Sequence, residues 1–126
     1  MMPNDAVDDA TIAEDATLWR RVPPDWVIFD PNLGRKRPTS QAFEDSRGSP
    51  MSAFLAQECA ETSNLLAGHP GFLVVSLTAR MAREVGLKIV RDPLAAGPRG
   101  HVLVVGKKTG KIRDTLAKSC NWVTSP

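Results

Sequence analysis

Residues Leu18–Phe43 read LWRRVPPDWVIFDPNLGRKRPTSQAF, and this stretch sets the class of fold. Leu18–Val22 has the composition of a strand, and Pro23-Pro24 ends it because proline has no N–H to give a ladder. Trp26–Phe29 is a second short β-rich run. Asp30-Pro31-Asn32-Leu33-Gly34 then supplies turn chemistry, since Asp and Asn side chains bond their own backbone and Gly reaches positive φ. Arg35–Pro38 reads as a basic loop and Thr39–Phe43 as a strand or turn entry. The pair Arg20-Arg21 and the triplet Arg35-Lys36-Arg37 flank an apolar body, so a strand pair presenting charge at its ends is expected.

Working outward, Met51–Leu55 reads as a strand. Ala56–Ala67 reads as a helix with Cys59, Leu65 and Leu66 on its buried stripe and Gly68 as its stop. Phe72–Leu77 (FLVVSL) suits a central strand buried on both faces. Thr78 has the chemistry of an N-cap, Ala79–Val85 of a short helix and Gly86 of its C′ residue. Leu87–Val90 and His101–Val105 are further strands, with Leu94–Gly100 connecting them. Ile112, Leu116, Ala117 and Cys120 share one face of a terminal helix over Lys111–Cys120, and Asn121–Val123 adds an edge strand. Strands separated by short helices give an α+β class: a single mixed sheet of about five strands with two or three short helices.

The 126 residues amount to one domain. Apolar runs such as Phe72–Val75 and Val102–Val105 fall far short of the ~20 residues a spanning helix needs, so no membrane partner is expected. The first residues lack the basic and apolar regions of a secretory signal. The chain therefore reads as cytoplasmic, with Cys59 and Cys120 as reduced, buried thiols.

The net charge of +2 conceals an asymmetry. Asp5, Asp8, Asp9, Glu14 and Asp15 fall within residues 1–17, which hold no Lys or Arg, whereas residues 18–126 carry all 16 basic groups and only 9 acidic ones. Residues 1–17 read as an acidic, disordered tail and 18–126 as a single α+β domain. The tail either only solubilises the chain or folds over the basic face and competes with what binds there. An acidic leader on a basic body points to an anionic partner.

Few motifs carry chemistry. VLVVGKKTGKI has the strand, Gly-rich turn and helix order of a phosphate-binding loop. Gly106 and Gly110 are one residue too close, however, and Ile112 stands where the Mg²⁺-holding hydroxyl belongs. Cys59, His69, His101 and Cys120 lack the close paired spacing of a zinc site, so no metal and no cofactor are expected. Ser52, Ser76 and His101 fall near strand ends, where a sheet can bring a hydroxyl to a base; no catalytic residue follows from sequence alone. Nucleic acid is a possible partner, given the basic triplet, the Lys107–Arg113 cluster, and Trp19 and Trp26 as stacking candidates.

The phrases Leu18-Trp19-Arg20-Arg21-Val22, Arg37-Pro38-Thr39-Ser40-Gln41-Ala42-Phe43, and Asp92-Pro93 followed by Pro98-Arg99-Gly100-His101 resemble a family of small, uncharacterised bacterial proteins. Its pattern is L-[YW]-R-x-V … R-P-[ST]-S-x-A-F … L-S-V … D-P … P-x-H-A. The match spans roughly 18–123, departing at Met51-Ser52-Ala53 and around His101. The resemblance implies a bacterial cytosolic protein. An early-strand Arg followed by a Ser on a later strand is also similar to compact ADP-ribosyltransferase-like and RES-type toxin domains that grip NAD. Arg20 or Arg21 and Ser52 would take those roles, and Asp92, in a turn, is the nearest acid.

The leading expectation is a non-enzymatic binding or accessory protein, of a bacterial conflict or toxin–antitoxin type. It would engage an acidic protein partner through Arg20, Arg21, Arg35, Arg37, Ser40, Ser52 and His101. An ADP-ribosyltransferase-like NAD-binding enzyme or inactive relative is the alternative, and a nucleic-acid-binding protein the third reading.

Overall fold

The computed structural model describes residues 6–126. After an N-terminal segment come β1 (Thr17–Val22), β2 (Val27–Asp30), β3 (Arg35–Pro38) and β4 (Met51–Leu55). Two one-turn helices follow, α1 (Ala56–Cys59) and α2 (Thr62–Leu66), then β5 (Leu73–Thr78) and α3 (Ala79–Glu84). β6 (Lys88–Arg91), β7 (His101–Val105), α4 (Gly110–Ser119) and β8 (Asn121–Trp122) complete the order. The α+β class is as expected. The main sheet is larger than expected, with six strands ordered β6-β7-β4-β1-β5-β8, and every pairing in it is antiparallel.

Register assigns the two faces. Leu18 opposes Leu55 and Leu77, Ala53 opposes Val102, and Ile89 opposes Val104. Opposed residues share a face and neighbours along a strand alternate, so these apolar residues form one buried layer with Val22, Met51 and Val75. Ala79 and Ala82 of α3, Leu116 and Ala117 of α4, and Phe43 cover it. The opposite face carries Trp19, Arg21, Ser52, Phe54, Ser76 and His101, and α1 and α2 cover part of it through Cys59 and Leu65 packed with Phe54 and Val74.

Three local readings differ from expectation. Arg35–Pro38, read as a basic loop, is β3 and pairs with β2 in a separate two-stranded hairpin. The single helix expected over Ala56–Ala67 is broken at Ala60, whose φ of 72° and ψ of −49°, with the Glu61 N–H donating to Cys59 O at 2.9 Å, form a γ-turn of the rarer, strained hand. β5 lies between β1 and β8, next to an edge, and the central strands are β4 and β1. Elsewhere the local chemistry acts as read: Thr78 Oγ1 accepts from the Met81 N–H at the start of α3, and Gly86 follows that helix at φ 89°.

Residues 1–5 of the expected tail lie outside the described residues. Residues 6–16 are placed against the body. Ile12 is 3% exposed in the main core. Asp8 and Glu14 pair with Arg83 at 3.1 and 3.0 Å, and Asp9 pairs with Arg91 at 3.3 Å.

Candidate functional site

The cations singled out from sequence do not form one surface. Arg20 points to the same side as Leu18 and Val22. β1 and β4 pair only at Leu18–Leu55 and Trp19–Phe54, and beyond that point the Arg20 guanidinium bridges from strand to loop. Nε donates to Ala42 O at 2.9 Å, Nη1 to Ser52 O at 2.7 Å and Nη2 to Glu44 O at 3.4 Å. Burial pushes it down to about 10, which leaves it charged at neutral pH. Arg20 is therefore a structural cation, not a docking residue. Of the two arginines, Arg21 alone shares a face with Ser52. It donates to Leu65 O at 3.0 Å and lies 5.5 Å above the Phe54 ring, within cation–π range.

Arg37 is likewise turned inward. Its Nε donates to Asp30 Oδ2 at 2.7 Å, and the other carboxylate oxygen accepts from the Asn32 and Leu33 N–H groups. This buried carboxylate ties β3 to the turn after β2, and one member of the basic triplet is neutralised in doing so. The Arg37 N–H is the largest cause holding the Asp30 carboxyl below the usual carboxylate range. Its contribution to stability is complete above the ordinary carboxylate range and is lost as pH falls through the depressed value. Asp30→Asn is expected to lower the unfolding midpoint at pH 7, the gap to wild type closing toward pH 2. A gap constant over that range in thermal scans refutes the assignment.

Arg35 and Lys36 remain exposed; Arg35 reaches Lys118 O at 2.9 Å. Half of the second basic cluster is also paired with carboxylates. Lys108, with only 3% of its side chain exposed, meets Asp45 at 2.6 Å, and Arg113 meets Glu44 at 2.7 Å. Ser40 opens the 3-10 turn that carries Phe43 into the core, and no hydrogen bond links it to Ser52 or His101. Trp19, Trp26 and Trp122 are partly buried against the two cores and are not free stacking platforms.

Two arrangements emerge that the individual motifs did not announce. The first is the hairpin. Phe29 is 61% exposed, Ile28 and Leu33 are exposed beside it, and Lys36 stands directly across from Phe29. Val123 is exposed too, and its neighbour Trp122 donates from Nε1 to Lys36 O at 3.0 Å, which joins β8 to the hairpin. A groove of about 430 Å³ runs here between Pro24, Val27, Phe29, Lys36 and Leu73. A Phe in a two-stranded ribbon has only one sheet face to bury it against. The missed signal was that Pro23-Pro24 and Pro38 isolate this ribbon from the main sheet.

The second arrangement lies on the outer face of the sheet. Phe54 opposes His101 across β4 and β7, which brings Ser52, two residues back, beside the imidazole. Ser52 Oγ is 2.7 Å from His101 Nε2, and His101 Nδ1 is 2.7 Å from Asp92 O and 3.2 Å from Asp92 Oδ2. The ring also meets Phe54 edge-on, centroids 5.1 Å apart. Burial raises the Cys59 thiol and pushes Cys120 up to about 11, so neither supplies a thiolate.

Among the described residues, no three His, Cys, Asp or Glu side chains cluster as a metal site requires, and no helix is long and apolar enough to cross a membrane. Compared with protein-family models, curated proteins and solved structures, the chain finds no match.

Proposed function

We propose that this chain is a binding protein that engages an acidic partner protein through the β2–β3 hairpin. The observation that carries the reading is Phe29, a large aromatic side chain 61% exposed on a braced ribbon with a cation across from it. Isolated exposed apolar residues are ordinary, but Ile28 and Phe29 on the two faces of this ribbon and Leu33 at its turn leave one short hairpin apolar and uncovered, with Phe29 the most exposed of the three. The Asp30–Arg37 pair fixes the backbone, so little ordering is required on binding. Phe29 would bury in the partner and supply affinity. Lys36, on the same face, would meet an acidic group beside it, setting register and association rate.

Phe29→Ser combined with Lys36→Glu tests the reading, because both side chains are exposed and the fold should survive. The native partner, captured from cells that express the chain and then titrated as purified protein, should bind the double variant at least about 30-fold more weakly, a loss of roughly 2 kcal/mol. Raising salt should weaken wild-type binding. A partner held equally by both chains places its interface elsewhere and ends the proposal.

A further inference from the structure

We propose that Ser52, His101 and Asp92 form an acyl-transfer centre, with Ser52 as nucleophile, acting on small esters that carry an acidic group. The proton positions follow from the partners. His101 Nδ1 faces two acceptors, the Asp92 carbonyl at 2.7 Å and its carboxylate at 3.2 Å, so Nδ1 carries the hydrogen. Nε2 then presents a lone pair to Ser52 Oγ at 2.7 Å. A hydroxyl bonded to a base whose other nitrogen is oriented by a third group is the arrangement that activates a serine. The ring is held besides by its edge contact with Phe54, and Ser52 remains partly exposed on the outer face of the sheet.

The substrate class follows from what adjoins the imidazole. His101 lines a groove of about 250 Å³ walled by Pro93, Leu94 and Pro98, with Arg91 and Arg99 beside it. Glu58 engages Arg91 through both carboxylate oxygens, at 3.1 and 2.9 Å, and Asp9 meets it at 3.3 Å. Among the described residues Arg99 has no carboxylate partner. It also borders the adjoining groove of about 590 Å³ that contains Arg21 and His69. With the Glu58 carboxylate taken up by Arg91, an ester with a short apolar chain against the prolines and one anionic group on Arg99 suits this lining, which reaches the imidazole of His101 but does not include Ser52 itself.

In the step itself, the Ser52 hydroxyl proton passes to His101 Nε2 as Oγ bonds to the ester carbonyl carbon. The tetrahedral adduct collapses with cleavage of the bond to the alcohol, which leaves with that proton. Water, deprotonated by the same imidazole, then attacks the acyl-Ser52 ester, releases the acid and restores the hydroxyl. His101 is the base. Asp92 acts through it and is a positioning residue.

A neutral fluorophosphonate probe reports on the centre without the anionic groove. The full chain is expected to take one adduct, mapped to Ser52 and absent in Ser52→Ala, with His101→Gln labelling about a hundredfold slower. Asp92→Ala should lower the maximal labelling rate while leaving the half-saturating probe concentration unchanged. No adduct on Ser52 of the folded chain, or equal labelling of wild type and His101→Gln, overturns the centre and leaves the pair as a buried histidine satisfying its nitrogens. In a second arm, 4-nitrophenyl hemisuccinate should exceed 4-nitrophenyl acetate about tenfold in kcat/KM, a preference removed by Arg99→Ala. Labelling without that preference overturns the substrate class alone.

Discussion

Replacing Arg20 by Ala is expected to lower the thermal midpoint by roughly 10 °C or more, while Arg21→Ala next to it shifts the midpoint by only a few degrees. The two guanidiniums have identical chemistry, so the difference lies in where each points. Arg20 supplies charge-assisted hydrogen bonds to Ala42 O and Ser52 O at 2.9 and 2.7 Å, and a weaker one to Glu44 O at 3.4 Å. Bonds to charged groups contribute about 1.5–3 kcal/mol each, and a carbonyl left unpaired indoors loses more than a solvated one. About 3–5 kcal/mol is therefore at stake, and in a chain of this size each kcal/mol moves the midpoint by roughly 3–6 °C. Arg21 makes one such bond and a partly exposed contact with Phe54. Arg20→Lys should fall between, because an ammonium cannot fork to carbonyls on both a strand and a loop. The measurement is a melting curve by circular dichroism. An Arg20→Ala midpoint within about 2 °C of wild type would show that the carbonyls find other partners and that Arg20 has some other task.

This inward turn was legible in principle. In Leu18-Trp19-Arg20-Arg21-Val22, the residues that share a side by alternation are Leu18, Arg20 and Val22, and two of these are wholly apolar. A period-two reading puts Arg20 indoors, whereas counting charge over the pair puts both arginines outside. What declared itself locally came through: the proline stop after β1, the Thr78 cap, Gly86 after α3, and the apolar run of β7. What depended on distant partners did not. Arg35–Pro38 pairs as a strand with β2, and the charge of Arg37 is taken up by Asp30, seven residues away. The Ser52–His101 pair depends on the register of β4 against β7, and a one-residue slip would turn Ser52 to the other face. Sequence named both residues as candidates but had no means of pairing them.

Removal of residues 1–16 is expected to leave a chain that no longer unfolds cooperatively near 37 °C, and Ile12→Ala alone should cost about 2–4 kcal/mol. A detachable acidic tail predicts the opposite, an unchanged midpoint and tighter binding of anions. The leader is tied by three kinds of contact. Ile12 fills the main core, and truncating a buried aliphatic side chain leaves a cavity as well as losing its transfer energy. Asp9 N donates to Ile89 O, and Ile89 N donates to Asp8 Oδ1, each at 2.8 Å, so the leader occupies the outer edge of β6 that would otherwise invite another strand. Ala16 O and Glu14 O accept from the Ala79 and Arg80 N–H groups at the start of α3, which has only Thr78 to cap it otherwise. The ion pairs are the weakest part of the attachment. Glu14 is exposed and Asp8 partly so, and such pairs contribute no more than about 1 kcal/mol each. Asp8→Asn with Glu14→Gln should accordingly cost far less than Ile12→Ala. That ordering, read from denaturant unfolding, separates a leader held by burial and backbone bonds from one held by charge. If the charge variants cost more than Ile12→Ala, the attachment is electrostatic and the leader can be competed off by an acidic ligand.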